Sequence, residues 1–338
     1  MSTITIERVS PRAGVRGGRV TIDCHGLDGE ALDRCNIVFG STPTRPLLAS
    51  PTFVLGTVPP AARPDVIQLE QRGSSSNTMP FATASVLAQN LHPVANPVVD
   101  GRGTIYTTIS GTKGQQVPVS IYRISPAGEV EPFASDILNP TGLAFGPDGL
   151  LYVSSRHTGT VFRVDQHGTV SSFVEHLGIA TGIAFDAQGR LYVGDRRGTI
   201  YQVSDTGEAR VFVSKLEQSV AAYHLAFGDN DRLYLSYPTL SGHDQVYCIA
   251  PDGDVCTIAS GIGRALGLAL DIDHNVYAVG HFADASGVVK ITPAGDLELV
   301  ISGINLVGLA FGLDGELILV DNSTVYKLNF GVQGRPLL

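Results

Sequence analysis

Apolar and polar residues alternate in four short runs between Gly142 and Val174, and a turn signal separates each run from the next. Pro147-Asp148-Gly149 is the sharpest of these signals. Short alternating runs bounded by Gly, Pro and Asp predict half-buried strands joined by tight turns. The unit recurs. Thr181-Gly-Ile-Ala-Phe-Asp-Ala-Gln-Gly-Arg-Leu-Tyr-Val-Gly-Asp195 is a second copy, and Val307 to Asp321 is another. Aligned on the second run, the copies place Tyr106, Tyr152, Tyr192, Tyr234, Tyr277 and Ile318 at one position. Four strands per repeat at a spacing of about 40 residues predict propeller blades, six of them.

The register has a phase shift. Leu87–Leu91 matches the end of a fourth strand, whereas the last copy stops after its third, Thr324-Val-Tyr-Lys-Leu-Asn329. A strand near 81–88 is therefore expected to complete the sixth blade, which closes the ring and removes an open edge. Residues 1–78 carry a different pattern. Short strand-like runs at Ile4–Val9, Arg19–Cys24, Cys35–Phe39, Phe53–Val58 and Val66–Glu70 suggest a small sandwich. Arg72-Gly-Ser-Ser-Ser-Asn-Thr78 reads as a polar linker into the propeller at 79–338.

Composition fits this all-β reading and narrows the partners. Of 338 residues 43% are hydrophobic and 16% charged, with 39 Gly and 19 Pro. The net charge is −9 and no basic cluster exceeds Arg196-Arg197, which argues against nucleic acid. No apolar run approaches the length of a membrane helix. The first residues are already strand-like, so the expectation is a cytoplasmic protein. The four cysteines set a condition on that. Cys24 and Cys35 lie on neighbouring strands, and Cys248 and Cys256 flank a hairpin centred on Asp252. If these pairs are disulfides, an exported protein is expected instead.

Two resemblances add to the pattern. Val9-Ser-Pro-Arg-Ala-Gly-Val-Arg-Gly-Gly-Arg-Val-Thr-Ile22, with Val38-Phe-Gly40 and Val58-Pro59, resembles the IPT/TIG family of immunoglobulin-like domains. That resemblance implies a spacer, or a surface for protein interaction or dimerisation. Pro140-Thr-Gly-Leu-Ala-Phe-Gly-Pro-Asp-Gly-Leu-Leu-Tyr-Val153 resembles NHL-type repeats and the broader class of SMP-30/gluconolactonases and strictosidine synthase-like proteins. There is no Trp, so the WD40 signature is absent.

Propeller ligands usually gather where the inner strands begin. The position before the inner-strand Gly is Ala95, Thr141, Thr181, Tyr223, Leu266 and Val307, and the next is Asn96, Gly142, Gly182, His224, Gly267 and Gly308. Asn139, Arg264 and Asn305 stand just upstream, and His281 opens a long second-to-third loop. The lactonase resemblance implies a divalent metal held by Glu, Asn and Asp, yet no carboxylate occupies this ring. No metal or other cofactor is therefore expected. The Gly-Xaa-Ser-Xaa-Gly elbow is absent as well.

The main expectation is a binding propeller. Its top face would take a small molecule or a protein segment in a mixed polar and apolar pocket of Asn96, Asn139, Thr141, Thr181, Arg264, His281 and Asn305. The alternative is a metal-independent enzyme, hydrolase/lactonase-like or lyase-type, using His224 and Tyr223 as acid and base. A third reading is a lactone hydrolase, which the missing carboxylates oppose. His224 and Asn96 are expected to face each other across the channel.

Overall fold

A computed structural model of the chain describes residues 3–60, 66–228, 231–242 and 244–335. Strands dominate it, and its one helix among the described residues is a short 3-10 helix, Gly29–Arg34. No helix there is long and apolar enough to cross a membrane.

The N-terminal strands form two antiparallel sheets. One runs Thr5–Ser10, Arg19–His25, Phe53–Thr57, Leu48–Ala49, and the other Met79–Pro80, Val66–Gln71, Cys35–Phe39, Thr42–Thr44. Alternation puts Ile6, Val20, Ile22 and Val54 of the first against Ile37, Phe39, Ile67 and Leu69 of the second, in one shared core. The expected linker is a stitched hairpin instead. Gly73 turns the chain at φ +79°, Ser74–Ser75 pairs back onto Glu70 and Gln71, and the Asn77 amide grips both backbone groups of Ile6. The core reaches past 78, because the Phe81 ring packs edge-on against Phe39 at 5.4 Å.

The later strands form a propeller-like succession of antiparallel sheets. The first runs Val98–Val99, Ile105–Thr108, Ile121–Ile124, Val130–Ala134. The second runs from Pro140–Phe145 to Val170–Val174, the third from Ala180–Phe185 to Ala209–Val213, and the fourth from His224–Phe227 to Val255–Ile262. The fifth runs from Leu268–Leu270 to Leu297–Ser302, and the sixth begins Leu306–Phe311, Glu316–Asp321, Thr324–Asn329. The innermost strands touch in sequence, and Val98–Val99 touches both the second and the sixth, so the ring is closed.

The turn chemistry that marks the repeat is visible in the first, second and fifth sheets. At the second, Gly149 takes φ +75°, and the Asp148 carboxylate accepts Leu150 N–H and the Tyr152 hydroxyl. Asp271 repeats this with Asn275 N–H and Tyr277. Each such tyrosine then meets the phenylalanine of the next sheet edge-on, Tyr152 with Phe185 at 4.8 Å and Tyr277 with Phe311 at 5.3 Å. One residue thus fixes a turn and packs two sheets together.

The outer strand of the sixth sheet is Ser85–Gln89, antiparallel to Thr324–Asn329. The residues just before it go elsewhere. Ala82–Thr83 pairs in parallel with Ala13–Gly14, which in turn lies against Ser302 on the edge of the fifth sheet. Alternation over four or more residues is the readable strand signal, so a two-residue strand inside Pro11–Gly18 escapes it. All four cysteines are free thiols, and Cys248 and Cys256 are cross-strand partners.

Candidate functional site

The innermost strands crowd one another at their N-terminal ends. A Cβ on Gly142 would stand 2.3 Å from the Thr181 carbonyl, and one on Gly182 at 2.3 Å from that of Tyr223. Only glycine allows that approach. The crowding consumes the polar groups that precede it. Thr141 Oγ1 donates to the Asn139 carbonyl, and Thr181 Oγ1 donates to Gly194 O while accepting Tyr223 N–H. Asn139 is buried and left-handed at φ +45°. Its amide donates to Gly111 O and Thr112 O and accepts Gly114 N–H at 2.8 Å. It folds the 110–114 loop and has little left for a ligand.

Tyr223 and His224 are both buried. Tyr223, just before the His224–Phe227 strand, packs in the core between sheets, against the Tyr237 ring at 4.4 Å, and its hydroxyl donates to the Glu217 carbonyl. Burial raises its phenol far above the ordinary value. His224 is 4% exposed, and burial alone pushes its imidazole down to about 4.

Asn96 does not wait across the channel for His224 either. Its Nδ2 donates to Leu268 O at 2.8 Å and its Oδ1 accepts Leu309 N–H at 3.2 Å, so it ties the first innermost strand to the fifth and sixth. Below it the channel is an apolar cavity of about 150 Å3 lined by Leu143, Ile183, Leu225, Leu268 and Leu309. Asn96→Ala would leave a buried carbonyl and a buried N–H unpaired. Urea unfolding is expected to show a loss of about 2–3 kcal/mol; an unchanged midpoint would mean that water replaces the amide at no cost.

Arg264, His281 and Asn305 do come together. They line a cavity of about 340 Å3 between the fifth and sixth sheets, with Ser286 and Asn322. Arg264 and Asn305 stand at the same repeat offset as Asn139, and all three are left-handed, Arg264 at φ +52° and Asn305 at φ +58°. His281 and Ser286 face each other because the fifth sheet's central hairpin stays paired to its tip, where Ala283 turns at φ +54°. His281 Nδ1 lies 3.2 Å from Ser286 Oγ. The sequence signal for Ser286 is its spacing from His281 across a two-residue turn.

The N-terminal segment is tied to the sheet that carries this pocket. Arg19 Nη1 donates to the Asp284 carbonyl at the hairpin tip and Val15 N–H donates to Ser302 O, while within the fifth sheet Gly303 N–H donates to Ser286 O. Among the described residues, no three His, Cys, Asp or Glu side chains converge as metal donors.

Comparison with known proteins follows this architecture. The family model for the strictosidine synthase-like N-terminal region matches residues 182–203. No curated protein sequence matches the chain. Among solved structures, an auxiliary nutrient binding protein from Bacteroides ovatus is 15% identical with a TM-score of 0.56, over 96% of this chain and 97% of that one. A gluconolactonase candidate is 18% identical with a TM-score of 0.61, over 75% of this chain and 94% of its own. Virginiamycin B lyase from Staphylococcus aureus is 16% identical with a TM-score of 0.53, over 74% and 86%. At these identities the likeness is one of fold: an all-β propeller of the kind that gluconolactonase- and lyase-type proteins share.

Proposed function

We propose that the chain is a metal-independent enzyme of lyase or hydrolase type, acting on a small molecule in the Arg264–His281–Asn305 pocket. In this reading the six sheets are six blades, and the N-terminal sheets are an immunoglobulin-like sandwich that supports blade five. One observation carries the assignment: His281 shares that cavity with Arg264 and stands within hydrogen-bond reach of Ser286.

With Nδ1–H donated to Ser286, the imidazole keeps Nε2 as proton acceptor. In an elimination, Nε2 takes the proton next to a carbonyl and the C–H electron pair becomes the new double bond. The β-oxygen leaves and regains a proton from the imidazolium. Arg264 would stabilise the charge that develops on the carbonyl oxygen. A histidine-to-alanine variant of virginiamycin B lyase is catalytically inactive, and its structure with quinupristin has this fold, at 12% identity.

The test is a panel of lactones, esters and β-alkoxy carbonyl compounds assayed in EDTA. His281→Ala is expected to lower kcat/KM by about 10³-fold, and Arg264→Ala to raise KM as well. Activity that EDTA abolishes, or that His281→Ala leaves intact, would overturn the assignment. A second reading is a binding protein, favoured because the nutrient binding protein matches nearly the whole chain, N-terminal sheets included. It predicts that a compound of the panel is bound in the same pocket and recovered unchanged.

A further inference from the structure

Tyr106 stands at the repeat position where Tyr152, Tyr192 and Tyr277 are buried, yet its own ring is only partly covered. Its packing partners are the usual ones. Phe133 of the outer strand meets it edge-on at 5.0 Å, and Phe145 of the second sheet at 5.4 Å. What changes is the arginine across the sheet. Arg123 is opposite Tyr106, as Arg163 is opposite Tyr152. On the outer strand Arg123 is registered with Glu131, whereas Arg163 is registered with Ser171. Glu131 Oε2 holds Arg123 at 2.7 Å from Nη2 and 2.9 Å from Nε. With that pair made, the Arg123 guanidinium carbon stays 5.9 Å from the Phe133 ring centre. Arg163 has no carboxylate opposite it. Its guanidinium carbon lies over Phe173 at 4.9 Å, and its Nε is buried. One arginine covers its aromatic pair, and the other is drawn off it.

The cleft left open has a volume of about 570 Å3 and lies between the first and second sheets. That is within the range of about 300–1,000 Å3 typical of ligand clefts. Tyr106, Phe133 and Phe145 give it an apolar wall, and the turns at 100–102 and 165–167 form its rim. These turns sit at the opposite ends of the strands from Arg264 and His281. The cleft is therefore on the other face of the propeller and shares no residue with that pocket.

The rim carries acceptors and donors together. Asp165 Oδ1 accepts the His167 and Thr169 amides at 2.8 and 2.9 Å, and its Oδ2 takes neither. The Tyr106 hydroxyl reaches Asp100 Oδ2 at 3.4 Å, a looser hold than the 3.0 Å of Tyr152 on Asp148. Arg102 is exposed, and no carboxylate among the described residues pairs with it. Within the lining, Arg102 and Arg123 balance Asp100 and Asp165, so neither an anion nor a cation gains net attraction. An apolar wall beside carboxylate acceptors and guanidinium donors fits a neutral ring that is C–H on its faces and hydroxylated around its edge. Each hydroxyl both donates and accepts, so it can use both kinds of partner.

We propose that this cleft binds a neutral sugar ring, with its C–H face against the aromatic wall and its hydroxyls on Asp165 and Arg102. The site does not depend on the chemistry assigned to His281.

The test is saturation-transfer NMR on the full chain with the methyl glycosides of glucose, galactose, mannose and xylose, followed by titration. At least one is expected to bind saturably, with a Kd of about 1 mM or below. Arg102→Gln is expected to weaken that binding by about fivefold or more, through the lost donors. Glu131→Ala is expected to weaken it by about tenfold, although Glu131 does not line the cleft, because the freed Arg123 settles on Phe133 as Arg163 does on Phe173. Both residues are exposed, so both variants are expected to melt with the native chain. Arg264→Gln is expected to leave the binding unchanged, and glucuronate to bind no more tightly than methyl glucoside. Four results would each overturn the proposal: no glycoside binds the native chain; binding survives intact in both Arg102→Gln and Glu131→Ala; it is lost in Arg264→Gln but not in Arg102→Gln; or glucuronate is clearly preferred, which would make this an anion site.

Discussion

A chain lacking residues 1–90 is expected to aggregate, whereas one lacking residues 1–78 is expected to fold with reduced stability. The difference lies in one strand. Ser85–Gln89 pairs along Thr324–Asn329, and Ala88 and Leu91 are buried with Ile318, Val320 and Val325. Removing it bares both an apolar patch and a row of unpaired N–H and C=O groups, a template for edge-to-edge association. The shorter deletion keeps that strand but strips the brace from the fifth sheet. Ala13 and Val15 leave a core shared with Tyr277, Ile301 and Leu306. The Arg16 bonds to the Tyr326 hydroxyl and Thr324 Oγ1, at 3.0 and 3.1 Å, go as well. Lost burial and hydrogen bonds together come to about 5 kcal/mol. Size-exclusion chromatography followed by thermal melts separates the outcomes. Equal stability of the shorter chain and the full one would show that the N-terminal sheets merely sit beside the propeller.

Much of the repeat was legible because its signals are local. Asp148 and Asp271 fix turns through atoms a few residues away, and the tyrosines they hold recur at one position of the period. The offset that placed Arg264 and Asn305 on one face is equally a property of the repeat. Three things were not legible, each for its own reason. The alignment groups Tyr223 with the channel ring, and nothing local marks that its ring packs against Tyr237 in the core. Asn139 and Asn96 looked like ligand groups because an amide in a loop carries no mark of its partners; here those partners are the 110–114 loop and two other sheets. The Ala13–Gly14 strand is set by a tertiary neighbour, Ser302, about 290 residues away in the chain.

Acidification is expected to cost the native protein about 3 kcal/mol that a His224→Leu variant does not lose. In the folded state burial depresses the His224 imidazole to about 4, against an ordinary value of 6.5. Between those values the unfolded chain binds a proton that the folded chain refuses. The contribution of a neutral, buried His224 is therefore complete above pH 6.5. It is lost as pH falls from 6.5 towards 4, and changes no further below 4. Carboxylates and the other histidines titrate in both proteins, so the difference between the two curves isolates this ring. Urea unfolding at several pH values checks the size of the effect, and the imidazole carbon shifts in NMR check the midpoint. Parallel stability curves, or a His224 midpoint near 6.5, would show that the ring reaches water. Leucine also fills the space without a polar group to desolvate, so the variant is expected to match the native protein at pH 7 to within about 1 kcal/mol. An imidazole that stays neutral down to about pH 4 is a weak proton acceptor at neutrality. That property, together with the engaged hydroxyl of Tyr223, argues against the channel ring as an acid–base pair.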